Sequence, residues 1–209
     1  MENFNVNSHA SICISGANGC RIYFDPLNFT GEPHDGLAVF ITHAHHDHMN
    51  IADIKKVIRD NDTLIVAPID CHGELKNAGF TYVRSPAEVS KVNGIGVHTF
   101  PAYNIKKFRS PGVPFHPKEN NWVGYIVNAD GKKYVICGDT EFTPELAGIK
   151  DIDVLFIPCD GKYTMTAQEA AECAKALKPK LVVPIHYNPG DEKEFIKYLD
   201  GKVPYKIVL

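Results

Sequence analysis

Short apolar runs closed by turn residues fill the first half of the chain, and residues 10–15, 21–24, 37–42, 64–67, 81–84 and 96–100 each predict a strand. Residues 50–60 break this pattern. There Ile51, Ile54, Val57 and Ile58 fall at helical spacing with Lys55, Lys56 and Arg59 between them, which predicts a helix burying one stripe. A second β-rich stretch starts at Trp122: runs at 122–128 and 133–137 flank Asp130-Gly131 and predict a hairpin, and 154–157 predicts a further strand. Thr166-Ala167-Gln168-Glu169 is a capping box opening a helix with Ala170, Ala174 and Leu177 on one face and Pro179 beyond its end. Residues 181–185 and 205–209 then predict strands around a short helix at 192–199. Residues 104–121 have no sustained period. They carry Lys106, Lys107, Arg109 and Lys118 among Pro111, Pro114 and Pro117, a length of loop that compact domains keep for function or motion.

Composition narrows the field. At 209 residues, with no repeat or linker-like shift, residues 1–209 are expected to form a single domain. The 22 Lys and Arg against 25 Asp and Glu give a net charge of −3, without the basic field that nucleic-acid binding rests on. Apolar stretches are about five residues long against the roughly 20 a membrane span needs, so no membrane association is expected. Residues 1–7 hold Glu2 and no basic segment, and no export signal is read there. Six cysteines without a C-x-x-C pair are expected to be reduced thiols of a cytoplasmic protein.

Histidine is the unusual residue. Of ten, four sit in His43-Ala44-His45-His46-Asp47-His48, directly after the strand predicted at 37–42. In an extended segment residues two apart project to the same side, so His43 and His45 can grip one ion. Asp47 and His48, at the entry to the helix, can turn toward a second. His46 alternates away and is expected to play a supporting or surface role. Imidazole with carboxylate suits zinc first, with manganese or iron according to supply. His9, His34, His72 and His98 fall outside any ligand-spaced group and are expected to be structural or exposed.

Thr42-His43-Ala44-His45-His46-Asp47-His48 resembles the H-x-H-x-D-H signature of the metallo-β-lactamase superfamily. Gly138-Asp139-Thr140 is similar to the segment with that family's bridging aspartate, Pro184-Ile185-His186-Tyr187 to the one with its last histidine ligand, and Asp25 to the aspartate that braces the histidine loop. The resemblance implies an α/β fold, an αββα sandwich of two mixed sheets with the metals at one edge between them. Pro101-Ala102-Tyr103-Asn104 and Tyr163-Thr164-Met165-Thr166 further resemble the branch of ascorbate-6-phosphate lactonase. One departure stands out. The superfamily usually has a first-metal histidine near the position of Asn104, so Asn104 through its amide oxygen, or His116 from the following loop, completes that site, or it binds weakly.

The function the resemblance implies is a metal-dependent hydrolase using a metal-bound hydroxide on a small, anionic ester, lactone or phosphoester. Up to two zinc ions would be held by His43, His45, Asp47, His48, Asp139 and His186 with Asn104 or His116. Asp139 would bridge them, and Asp47 would also orient water and accept its proton. Tyr103, Tyr163, Lys106 and Arg109 are the expected substrate contacts, Arg offering an anion a bidentate fork and Lys a point charge. The alternative is a metabolite-binding or sensing module without turnover and with a weakened first site. Flavodiiron oxidoreductases have glutamate in place of His45, and superfamily nucleases carry a more basic surface, so both fit less well. The expected partner is a small molecule.

Overall fold

The structure, a computed structural model, describes residues 3–16 and 19–209; Met1, Glu2, Ala17 and Asn18, and with them part of the expectation about an export signal, lie outside it. The chain divides into two compact units, residues 1–98 with Leu209, and residues 99–208.

The first unit is built on a six-stranded sheet of β1 (Phe4–Ser8), β2 (Ser11–Ser15), β3 (Arg21–Phe24), β4 (Gly36–Phe40), β5 (Leu64–Val66) and β6 (Val83–Arg84), in that order across the sheet. Strands β1 to β3 are antiparallel neighbours, and β3 to β6 run parallel. Helix α1 (Ile51–Val57) links β4 to β5, and α2 (His72–Asn77) precedes β6. Strand β1 escapes sequence reading because only Val6 turns inward among asparagines. Helix α1 starts where Asn50 caps the Asp53 N–H at 3.0 Å, but stops at Val57 rather than near 60, because Ile58 is already extended. Its inner face, Ile54 and Val57, packs with Val39, Ile41, Ile65, Leu75 and Phe80, so truncating Ile54 to Ala would cost about 2–5 kcal/mol. A short antiparallel ribbon of β7 (Lys91–Val92) with the start of β8 (Ile95–Pro101) ends the unit, and β8 carries the chain into the second.

In the second unit β9 (Phe108–Ser110) and β10 (Val113–Pro114) form a small antiparallel pair. They give structure to the segment expected as an irregular loop, which is tied down where Glu141 Oε2 accepts from the backbone N–H of Ile105, Lys106 and Lys107 at 2.6, 2.7 and 3.0 Å. Strands β11 (Val123–Ala129) and β12 (Lys132–Ile136) make the expected hairpin. Its turn, Asp130-Gly131, has φ of 50° and 73°, the left-handed pair that a tight two-residue turn requires. After the single turn of α3 (Pro144–Ala147), β13 (Val154–Pro158) lies parallel to β12, and β14 (Leu181–Ile185) parallel to β13. Helix α4 (Ala167–Leu177) begins at the expected capping box: Glu169 N–H bonds Thr166 Oγ1 at 3.1 Å, and Thr166 N–H bonds the Glu169 carboxylate at 2.8 Å. Ala170, Ala174 and Leu177 join Leu155, Ile157 and Val182 in the core, with Phe195 and Leu199 from α5 (Asp191–Leu199). The strand expected at 205–209 is a correction. Only Tyr205 bridges to Val182, with Val182 N–H bonding Pro204 O and Lys206 N–H bonding Val182 O, because the next donor along β14 would be Pro184, which has no N–H.

Candidate metal centre

Asp25, His43 to His48, Asp139, Asp160 and His186 follow the C-terminal ends of parallel strands, where α/β sheets leave room for ligands, whereas His9 and His116 come from turns and loops between antiparallel strands. In the first unit β3 delivers Asp25 and β4 delivers the histidine run. Asp25, buried with a left-handed φ of 43°, accepts from Thr42 N–H at 2.8 Å and Thr42 Oγ1 at 2.6 Å, and lies 2.7 Å from His48 Nδ1. It braces the loop as the resemblance implied. A carboxylate on Nδ1 puts the proton there and leaves Nε2 as the donor atom of His48.

The run separates into two sets. His43 Nε2 and His45 Nδ1 lie 3.0 Å apart, while His48 Nε2 lies 3.9 Å from Asp47 Oδ2. Asp47 Oδ2 is also 3.2 Å from His9 Nε2, and the His9 and His48 rings are 5.8 Å apart. His9, expected to be structural or exposed, therefore belongs to this cluster. It tips the turn between β1 and β2 with φ of 48°, and that turn is tied down where Asn7 and Ser8 side chains donate to Leu27 O at 2.6 and 2.9 Å. Nothing in sequence spacing links residue 9 to residue 47. His46 is 97% exposed, in keeping with its place on the opposite side of the run.

In the second unit Gly138, with φ of 61°, turns the chain at the end of β12 and directs Asp139 inward. One oxygen of Asp139 lies 3.2 Å from His116 Nε2 and 3.2 Å from His186 Nε2. His186 follows β14 with φ of 46°, and its Nδ1 lies 2.9 Å from Asp160, which follows β13. Asp160 was not found from sequence. Burial pushes its carboxyl up, but His186 and the N–H groups of Tyr163 and Thr164 outweigh burial and hold it below the usual range. The Asn104 oxygen accepts from both the backbone N–H and the Nδ1 of His116 at 2.8 Å each, and its Nδ2 donates to Tyr163 O at 2.9 Å. Of the two residues considered for completing the first site, His116 is thus the one whose ring reaches Asp139.

The expected substrate contacts are spread over the second unit. Tyr103 is buried, its hydroxyl donating to Glu145 at 2.9 Å, and Lys118 bonds the same carboxylate at 2.7 Å. These partners hold the Glu145 carboxyl down to about 2. Lys107 pairs with Glu169 at 3.2 Å. Arg109 lies over the Phe115 ring, 5.9 Å from its centre, and the exposed Tyr163 meets the same ring edge-on. Lys106 lines a cavity of about 500 Å³ with Ile105, Phe142, Met165 and Glu172. The donors on each unit, imidazole nitrogens converging with a carboxylate, are the chemistry that a zinc-like divalent ion takes.

The profile of the Beta-lactamase superfamily domain matches residues 5–186, and the chain belongs to the metallo-β-lactamase superfamily, whose mixed α/β fold it has. Within it the chain falls in the UPF0173 metal-dependent hydrolase family. It is similar to the UPF0173 metal-dependent hydrolase of Thermococcus onnurineus, 32% identical over 93% of this chain and 90% of the relative. It is also similar to that of Anoxybacillus flavithermus, 30% identical over 88% of each. The crystal structure of a protein from Parabacteroides distasonis superposes with a TM-score of 0.81 at 30% identity, covering 97% of this chain and 90% of that one.

Proposed function

We propose that this chain is a cytoplasmic hydrolase of a small anionic ester, lactone or phosphoester, working with two divalent ions, zinc foremost. The proposed ligands are His9, His43, His45, Asp47 and His48 from the first unit and His116, Asp139 and His186 from the second, and Asp139 would bridge the ions. The reading takes residues 1–209 as one functional domain, as the resemblance implies. The observation that carries it is the single Asp139 oxygen 3.2 Å from Nε2 of both His116 and His186, since a carboxylate shared by two imidazoles is what a bridging ligand needs. Divalent ions there would bring the pKa of a shared water toward neutrality and polarise the scissile oxygen. Asp47 would receive the proton, its Oδ2 steadied by His9. Lys107, Lys118 and the Tyr103 hydroxyl are engaged by Glu169 and Glu145, so Arg109 and Lys106, with Tyr163, are assigned to the substrate's phosphate or carboxylate. The resemblance to the lactonase branch supports that substrate class. The alternative, a binding or sensing module without turnover, rests on a weakened first site, and it loses ground if His116 serves as that site's third histidine.

The test combines metal analysis with a screen of matched neutral and anionic esters, lactones and phosphodiesters. Two equivalents of zinc after reconstitution and faster turnover of the anionic members are expected. Less than half an equivalent overturns the metal centre, and faster turnover of neutral members overturns the substrate class. Zinc uptake with no turnover on any member favours the binding module.

A further inference from the structure

We infer that Asn104 is a positioning residue that fixes the tautomer of His116, and that one hydrogen-bonded turn, residues 160–164, serves the histidines on both sides of Asp139. The inference rests on the metal-centre reading for its consequence, though not for its geometry. The Asn104 amide has only one workable orientation. One end faces Tyr163 O at 2.9 Å, which can only accept, so it is Nδ2; the other faces the His116 backbone N–H at 2.8 Å, which can only donate, so it is Oδ1. His116 Nδ1 lies 2.8 Å from that same oxygen and must therefore carry the proton. In the neutral ring the lone pair is then on Nε2, the nitrogen 3.2 Å from Asp139. A backbone bond from Asn104 N–H to His116 O at 2.9 Å keeps the two residues in register.

The turn that orients Asn104 is itself braced. Asp160 Oδ1 accepts from the N–H groups of Lys162, Tyr163 and Thr164 at 2.8, 2.8 and 3.1 Å, while its other oxygen lies 2.9 Å from His186 Nδ1. A carboxylate beside Nδ1 favours the proton there by charge rather than as an aligned hydrogen bond, leaving the lone pair on Nε2, 3.2 Å from Asp139. The path from His116 through Asn104, the Tyr163 peptide and Asp160 to His186 therefore closes a ring with Asp139, and both imidazoles present the same nitrogen. Asparagine at 104 does by hydrogen bonding to His116 what an acidic partner does for His186, without adding a charge.

Nitrogen-15 NMR of the histidine rings tests this in the full chain, with and without added zinc, at a pH where the rings are neutral. The His116 signal is assigned by its loss in His116→Gln. Wild type should show a slowly exchanging Nδ1–H on His116. Asn104→Ala should lose it, and Asn104→Asp, which keeps an accepting oxygen, should retain it. In competition with a chelator, Asn104→Ala should release one zinc equivalent about 10–100-fold more readily than wild type. An Nε2–H tautomer in wild type, or an unchanged Nδ1–H signal in Asn104→Ala, overturns the inference. Wild type that shows the Nδ1–H signal but takes up no zinc overturns the functional reading and leaves the positioning role standing.

Discussion

The two units present their candidate metal-binding side chains in opposite ways. In the first, five candidates come from one strand end and one neighbouring turn, and a single buried carboxylate, Asp25, steadies the loop through three contacts. In the second, Asp139, His116 and His186 arrive from separate elements, and each histidine has a brace of its own, Asn104 or Asp160. A contiguous cluster can share one support. A dispersed one needs a support for each arm, and its geometry then depends on several distant residues at once.

That contrast can be broken most directly at its most shared atom. Asp139→Ala should lose at least one of two zinc equivalents and reduce hydrolysis to background, as metal analysis and an ester assay would report; retention of both equivalents removes Asp139 from the bridging role. Next in size is Asp25→Ala, which leaves a buried N–H, a hydroxyl and the His48 ring without their common acceptor. Denaturant unfolding should show a loss of about 3–5 kcal/mol, while Asp160→Ala, affecting one arm, should cost less. Smaller again is a pair of histidines: His9→Ala should weaken one ion at least about tenfold in a chelator titration, and the exposed His46→Ala should leave both affinities unchanged. Equal effects would remove His9 from the cluster.

The smallest effect concerns the strap between Lys118 and Glu145. The Glu145 carboxyl lies at about 2 in the folded chain against an ordinary 4.5, held down by Lys118 and Tyr103. Its contribution to stability is therefore complete above about pH 4.5 and is lost as the pH falls toward 2. Glu145→Gln should flatten that part of the melting-temperature profile and shift it by only about 2 °C at neutral pH.

The same contrast sets what the sequence discloses. His43 to His48 announce themselves because strand alternation and helix entry single the run out; in the structure His43 Nε2 lies beside His45 Nδ1 and His48 Nε2 faces Asp47, while the His43 and His48 rings also meet, 4.0 Å apart. Asp139 and His186 are legible only through the order of motifs, since each is a lone polar residue at the end of an apolar strand. His9, Asp160 and the part Asn104 plays toward His116 leave no local trace, because their partners lie 38, 26 and 12 positions away. The fold follows the same rule. Alternating strands and the capping box of α4 are visible, whereas the polar β1, the single-turn α3 and the one-residue bridge at Tyr205 depend on contacts made only after folding.

Two proposed ligands, His9 and His186, and the brace Asp25 hold left-handed backbone, a conformation that aspartate, asparagine, histidine and glycine tolerate and β-branched side chains resist. Substitution at 9 and 186 would be filtered twice, once by coordination chemistry and once by the main chain, and at 25 by the main chain and the bonds to Thr42 and His48. A mutational library aimed at exchanging the proposed metal would therefore waste most of its diversity at positions 9, 25 and 186 and find its workable variants at positions 43, 45 and 47, where no such backbone demand applies.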